Sequence, residues 1–177
     1  LLDTNNARYF AGDVRSSALP GGDGYYYVLN MDDANASDND VTQFFRIDVS
    51  GGTASLEDTV NITGITDVRL NDWAFNPKDG QLYGFEQHRQ RFIKVNPDSG
   101  AASFVGSAQP TLGTVHGAAW FDAQGKFYSY HNGIGNPSGN LYLVNTTTGS
   151  AEEINPGGAP SVARNDGAAC PFAPMIE

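Results

Sequence analysis

One pattern, written three times at a spacing of just under fifty residues, constrains this chain more than any other feature. Phe44-Phe45-Arg46-Ile47-Asp48-Val49-Ser50-Gly51-Gly52, Phe92-Ile93-Lys94-Val95-Asn96-Pro97-Asp98-Ser99-Gly100 and Leu141-Tyr142-Leu143-Val144-Asn145-Thr146-Thr147-Thr148-Gly149 each read as an apolar strand, then Asp or Asn, then a short turn closed by Gly. The closing glycines Gly52, Gly100 and Gly149 stand 48 and 49 residues apart. A second pattern precedes the first. Ala74-Phe75-Asn76-Pro77-Lys78-Asp79-Gly80-Gln81-Leu82-Tyr83 aligns without a gap on Ala119-Trp120-Phe121-Asp122-Ala123-Gln124-Gly125-Lys126-Phe127-Tyr128, and more loosely on Ala18 to Tyr27. In each, a turn of Asp, Pro and Gly residues joins two strand-like runs, as a hairpin requires. A unit repeated at this spacing cannot bury its apolar faces alone, so neighbouring copies must cover them.

Each copy reads as four short strands, near 9–18, 24–31, 42–49 and 53–60 in the first, 69–76, 81–87, 91–96 and 101–106 in the second, and 115–121, 126–131, 140–145 and 150–154 in the third. No segment carries a sustained helical period. Four strands at a period in the forties predicts an all-β, propeller-like fold of antiparallel blades. A plain β-sandwich also has short alternating strands but gives no reason for so faithful a repeat. Residues 1–177 are expected to form one domain, with blades at about 9–60, 66–108 and 113–156. Gly167-Ala168-Ala169 repeats Gly117-Ala118-Ala119, which predicts an extra inner strand at 165–173. Three blades fall short of the usual minimum of four. The expectation is a partial propeller, or one completed by oligomerisation, for example two three-blade units closing a six-blade ring.

Composition narrows the function classes. The 20 acidic residues outnumber the 10 basic ones, for a formal charge of -10. Such a surface repels phosphate backbones and anionic lipid, so nucleic acid is not an expected partner. No apolar run approaches the ~20 residues of a membrane helix, so no membrane insertion is expected. Cys170 is the only cysteine, which excludes an internal disulfide. The opening Leu1-Leu2-Asp3 is an unusual start, and a longer precursor is expected.

The segments NDWAFNPKDGQLYG, FIKVNPDSGAASFVG and RNDGAACPFAP resemble the propeller-type repeats of large bacterial secreted and surface proteins, which often carry adhesin-like modules elsewhere in the polypeptide. The resemblance runs from about Tyr9 to Phe172. It implies an extracellular or cell-surface location and brings no catalytic motif with it.

Inner strands of a propeller line a channel whose mouth often holds the ligand. Ungapped alignment of the inner strands places Arg15, Asn71 and His116 at one level, with Asp72 beside Asn71 and Asp166 opposite His116. This set could bind a polar ligand or a metal; equally, its members could hydrogen-bond neighbouring blades. The loop from Asp32 to Asp40 is the densest run of oxygen ligands. Asp32, Asp33, Asp38 and Asp40 are candidate Ca²⁺ ligands, although the loop lacks the Gly and Glu of an EF-hand. Searches for a Gly-x-Ser-x-Gly elbow, a Walker loop and a His-Glu-x-x-His helix all fail.

The expected function is therefore a non-catalytic surface binding or structural module, part of an adhesin, fibre or cell-envelope assembly, with a protein partner or self-association. One alternative is a propeller enzyme such as a metal-dependent hydrolase or lactonase. Another is a carbohydrate-binding module using Tyr26, Tyr83 or Tyr128.

Overall fold

The computed structural model describes residues 8–19, 21–31, 41–133, 138–155, 158–162, 165–169 and 172. The candidate Ca²⁺ ligands Asp32, Asp33, Asp38 and Asp40 lie outside them. Three antiparallel sheets follow one another along the chain, each a simple meander in sequence order. Blade 1 comprises β1 (Arg8–Val14), β2 (Tyr26–Met31), β3 (Val41–Asp48) and β4 (Ser55–Asn61). Blade 2 comprises β5 (Trp73–Phe75), β6 (Leu82–Glu86), β7 (Arg91–Val95) and β8 (Ala102–Val105). Blade 3 comprises β9 (His116–Phe121), β10 (Phe127–His131), β11 (Ser138–Val144) and β12 (Ala151–Glu153), and β13 (Ala159–Pro160) pairs with the start of β11. The only helical element among the described residues is a single 3-10 turn, Pro110–Leu112. The fold is thus all-β and propeller-like. Of the extra inner strand expected at 165–173, the described residues 165–169 run alongside the inner strands without ladder pairing, and 170, 171 and 173 lie outside the described residues.

The first strands of the blades stack side by side, β1 against β5 and β5 against β9. Ladder register then says which residues are equivalent. Val14 faces Tyr26, Phe75 faces Leu82 and Phe121 faces Phe127. The next amides close the hairpins in the same way, Arg15 to the Tyr25 carbonyl, Asn76 to Gln81 and Asp122 to Lys126. The hairpin of blade 3 is one residue shorter than that of blade 2, so the ungapped alignment slips along the inner strand by one. Further up, the Gln87 amide donates to Arg69 and the Asn132 amide to Val115, which makes His116 the counterpart of Leu70. Arg15 is the counterpart of Asn76 and Asp122. Arg15, Asn71 and His116 therefore do not share a level.

Strict alternation along the strands gives each blade two apolar faces. Blade 1 presents Tyr27, Leu29, Phe44 and Val60 to blade 2, which receives them with Phe75, Leu82, Val95 and Ala102; together they form one buried cluster. Blade 2 presents Tyr83, Phe85, Phe92 and Val105 to blade 3, which receives them with Phe121, Phe127, Val144 and Ala151 in a second cluster. The four presenting positions coincide in the two blades by register, as do the four receiving ones. Trp73 seals the first seam, its ring edge-on to Phe44 at a centroid distance of 5.4 Å. The repeated Gly completes both seams. A Cβ on Gly100 would stand 1.9 Å from the Asn61 carbonyl oxygen, and one on Gly149 2.3 Å from that of Val105.

Candidate functional site

The inner strands meet at a cleft of about 380 Å³, lined by Asp13, Val14, Phe75, Trp120 and Phe121, with Gly167, Ala168 and Phe172 of the terminal stretch on the remaining side. Two carboxylates tie the blades together beside it. Asp13, near the end of β1, accepts from its neighbour's amide, Val14, and from the Phe75 amide of blade 2, 2.8 Å away. Asp72, just before β5 and 3 % exposed, accepts from the Trp73 amide at 2.8 Å and from the Ala119 amide of blade 3 at 2.6 Å. The Gly167 amide, beside Asp72, donates to Asp166 Oδ1 at 2.9 Å. The Asp72 carboxylate thus joins blades 2 and 3 next to the terminal stretch.

The electrostatics follow from burial. Desolvation pushes the Asp72 acid up to about 8, against the pull of the donated amides, and the nearby Asp166 charge adds to the rise. Asp13 rises for the same first reason, with Asp166 contributing least. The Tyr26 phenol, whose ring covers Gly12, also rises, first by burial and then through Asp166, Asp13 and Asp72. Three carboxylates and a phenol therefore share one neighbourhood.

Of the five residues expected at the channel mouth, the structure brings together Asp72 and Asp166 alone. Asn71 is a half-buried neighbour of Asp72 outside the strand. Arg15 sits at the hairpin end, its Nη1 2.8 Å from Asp98 of blade 2 and 3.5 Å from Asp23. His116 lies at the other end of its inner strand, within the seam of blades 2 and 3. Its Nδ1 is 2.8 Å from Ser129 Oγ, and its ring packs on Phe85 at 4.0 Å and near His131 at 5.4 Å. Burial, then the His131 charge, hold its pKa down to about 3, with the Leu112 backbone opposing. Among the described residues, no group of three or more His, Cys, Asp or Glu side chains converges as a metal site.

The sequence reading missed Asp13 and named Tyr26 only as a ring for stacking on a sugar, because the first copy of the hairpin pattern is too loose to set their register. It also missed a recurrent tie inside its own motif. The hydroxyls of Tyr27, Tyr83 and Tyr128 donate to Asp23, Asp79 and Asp122 across their hairpins. Tyr83 and Tyr128 are consequently buried and offer no ring face to a sugar.

The stretch 3–172, nearly the whole chain, matches a family described as a repeat of unknown function, DUF6923. The chain belongs to that family. No curated protein is detectably similar to this DUF6923 chain in sequence. Its fold is similar to that of the virginiamycin B lyase of Staphylococcus aureus, with a TM-score of 0.53 at 12% identity over 87% of this chain and 43% of the lyase. It is also similar to a structural-genomics protein of unknown function from Bacteroides thetaiotaomicron, with a TM-score of 0.52 at 17% identity over 88% of this chain and 37% of that one. The DUF6923 chain thus spans less than half the length of these propeller-like neighbours, and at such identities the likeness is one of fold.

Proposed function

We propose that this DUF6923 chain is a non-catalytic structural or binding module of an extracellular or cell-surface protein. The observation that supports it best is the use made of the inner-strand carboxylates. In a propeller enzyme these side chains would be free to hold a metal or move a proton. Here both Asp72 oxygens and both Asp13 oxygens accept backbone amides, in each case from the next blade as well as their own. Their chemistry is spent on joining blades. His116, the imidazole expected at the channel, is enclosed by Phe85, Phe92 and Tyr142 and held by Ser129. The extracellular setting and a protein partner rest on the resemblance to secreted repeats and on the acidic surface, with Ca²⁺ at Asp32, Asp33, Asp38 and Asp40 as the ion that such a setting would supply.

Purified protein screened against ester, lactone and glycoside substrates, with and without divalent metals, is expected to show no turnover. Turnover that His116→Ala abolishes would overturn the reading. Surface biotinylation of the source cells is expected to label the protein, and confinement to the unlabelled pool would remove the surface assignment. Calorimetric titration with CaCl₂ tests the ion separately, binding being expected in the parent protein and lost in Asp32→Asn/Asp33→Asn.

A further inference from the structure

We propose that the connector between blades 2 and 3, residues 106–115, is an acid-released latch: it closes over the neutral rings of His116 and His131 and lifts locally, ahead of unfolding, when they gain protons. This regulation goes beyond the module reading and stands whatever the module binds.

The connector is pinned at its ends. A Cβ on Gly106 would stand 1.8 Å from the Thr148 carbonyl oxygen, and Arg91 Nη2 donates to the Gly106 carbonyl. At the far end the Asn132 amide donates to the Val115 carbonyl at 2.8 Å. The middle is held more lightly. Ser107, Ala108, Pro110, Thr111 and Thr114 are exposed. The Gln109 amide donates to the Gln90 carbonyl at 2.6 Å, and Leu112 is buried in the seam cluster with Phe85, Phe92 and Tyr142. A segment with so few contacts opens at low cost.

Under that middle lie the two imidazoles, paired across β9 and β10 with ring centroids 5.4 Å apart. His131 Nε2 abuts Gly113. A Cβ there would meet it at 2.4 Å, and Gly113 has φ of 81°, so the position demands glycine on both counts. The Leu112 backbone lies beside His116, whose Nδ1 is taken by Ser129 Oγ and whose buried Nε2 closes no hydrogen bond among the described residues. Burial holds both pKa values down, and the His131 charge lowers that of His116 further. The other elements bring no counter-charge. β6 and β7 face the pair with Phe85 and Phe92, and β11 with the Tyr142 phenol, itself raised by burial and then by Glu153. Glu86 and Arg91, next along β6 and β7, alternate to the opposite face. Residues 106–115 carry no titratable side chain. Among the described residues, no carboxylate acts on either ring.

A proton on either ring creates a buried charge that needs an acceptor or water. Ser129 serves only the Nδ1 side of His116, and Leu112 and Gly113 close the other side. Lifting the connector admits water there and leaves the strands paired. The closed rings titrate below the 6.5 of a solvated imidazole, so the open form holds the extra proton. Its share therefore grows as pH falls below 6.5, by up to about tenfold per pH unit for each proton taken up, and the latch is shut above that value. Opening uncovers Leu112, Phe92 and Tyr142, an apolar rim that only acid exposes.

Hydrogen exchange read by NMR, with each rate divided by the intrinsic rate of that amide at the same pH, tests this on the parent protein. From about pH 6.5 to about pH 4.5 protection at Gln109 and Leu112 should fall about tenfold per unit and show no dependence on low urea. Leu82 and Ile93 should exchange only with the full urea slope of global unfolding. Protection at Gln109 and Leu112 that stays constant with pH, or that carries the global urea slope, would overturn the latch. In His116→Leu/His131→Phe that protection should no longer depend on pH, and an acid loss that persists in the folded variant would overturn it equally. If the variant does not fold, the parent measurement decides alone.

Discussion

Gly52 and Gly100 hold the same turn position with φ of 74° and 71°, and they differ in what surrounds them. That pair separates two contributions that are normally mixed. Any L-residue in this left-handed conformation costs about 1–2 kcal/mol. At Gly52 that is the whole cost, since a new Cβ meets nothing; at Gly100 the Cβ also drives into the Asn61 carbonyl, and the seam must open. Gly52→Ala should therefore lower unfolding free energy in urea by about 1–2 kcal/mol and Gly100→Ala by about 3 kcal/mol or more. Equal losses would mean that the seam contact carries no weight. His116 allows a second test at this scale. Its pKa is 6.5 in the unfolded chain and about 3 in the fold, so between those values the unfolded chain holds the extra proton. The stability linked to His116 is complete above pH 6.5 and is lost as pH falls toward 3, by up to about 1.4 kcal/mol per pH unit. Asp72 acts in the opposite sense. Its acid is raised from 3.8 to about 8, so the fold gains from it as pH falls from 8 toward 4. Blade 2 has Leu70 and Gly84 where blade 3 has His116 and Ser129. The variant His116→Leu/Ser129→Ala should keep the fold and lose less stability between pH 7 and pH 4 than the parent; an unchanged loss would show that His116 is not the group responsible.

At the scale of strands and blades, the carboxylate ties make unequal demands. Asp13 and Asp72 each join two blades through two amides, but Asp72 is buried at 3% exposure whereas Asp13 is only half-buried. Leaving a buried amide unmatched costs about 1–3 kcal/mol. Asp72→Ala should thus cost more than Asp13→Ala, and should speed hydrogen exchange at the Ala119 amide while sparing the amides inside β2 and β3. Faster exchange spread evenly over all three blades would argue against a local tie. The strands themselves were legible. All twelve strands predicted for the three blades exist, with ends displaced by at most four residues, because alternation and Gly-bearing turns are local signals. Inter-strand register was less so. One residue fewer in the blade 3 hairpin moves the inner strand by a step, and a one-step slip changes the face of every side chain. By that slip His116 lies one position away from the level of Asn71, and Arg15 lies further off, at the level of Asn76, because the hairpin of blade 1 is longer than the others. Asp13 and Asp72 reach across to neighbouring blades, and a partner some fifty residues away leaves no trace in local spacing.

For the molecule as a whole, stacking decides which parts are stable. Stability in such an array is close to a sum of unit terms and nearest-neighbour seams. Among the described residues, blade 2 is the only blade with a seam on each face, one through Phe75, Leu82 and Val95 and the other through Tyr83, Phe85 and Phe92. Every residue of β6 is buried. The outermost strands have the reverse character, with β4 exposed along most of its length and β12 bearing Glu152 and Glu153 toward water. Local opening draws on the contacts that a segment makes, and its free energy runs from near zero at frayed edges to the global value in the core. Native-state hydrogen exchange should therefore rank β6 and β7 slowest, with β2, β3, β10 and β11 next and β4 and β12 fastest. β6 and β7 alone should exchange only through global unfolding, so that their protection tracks denaturant with the full slope of the equilibrium transition. If β4 were as protected as β6, blade 1 would need a covering partner on its outer face under the conditions of the measurement. Dilution would then distinguish the two cases, since protection that comes from another molecule falls as the protein is diluted, whereas protection that comes from its own stack does not.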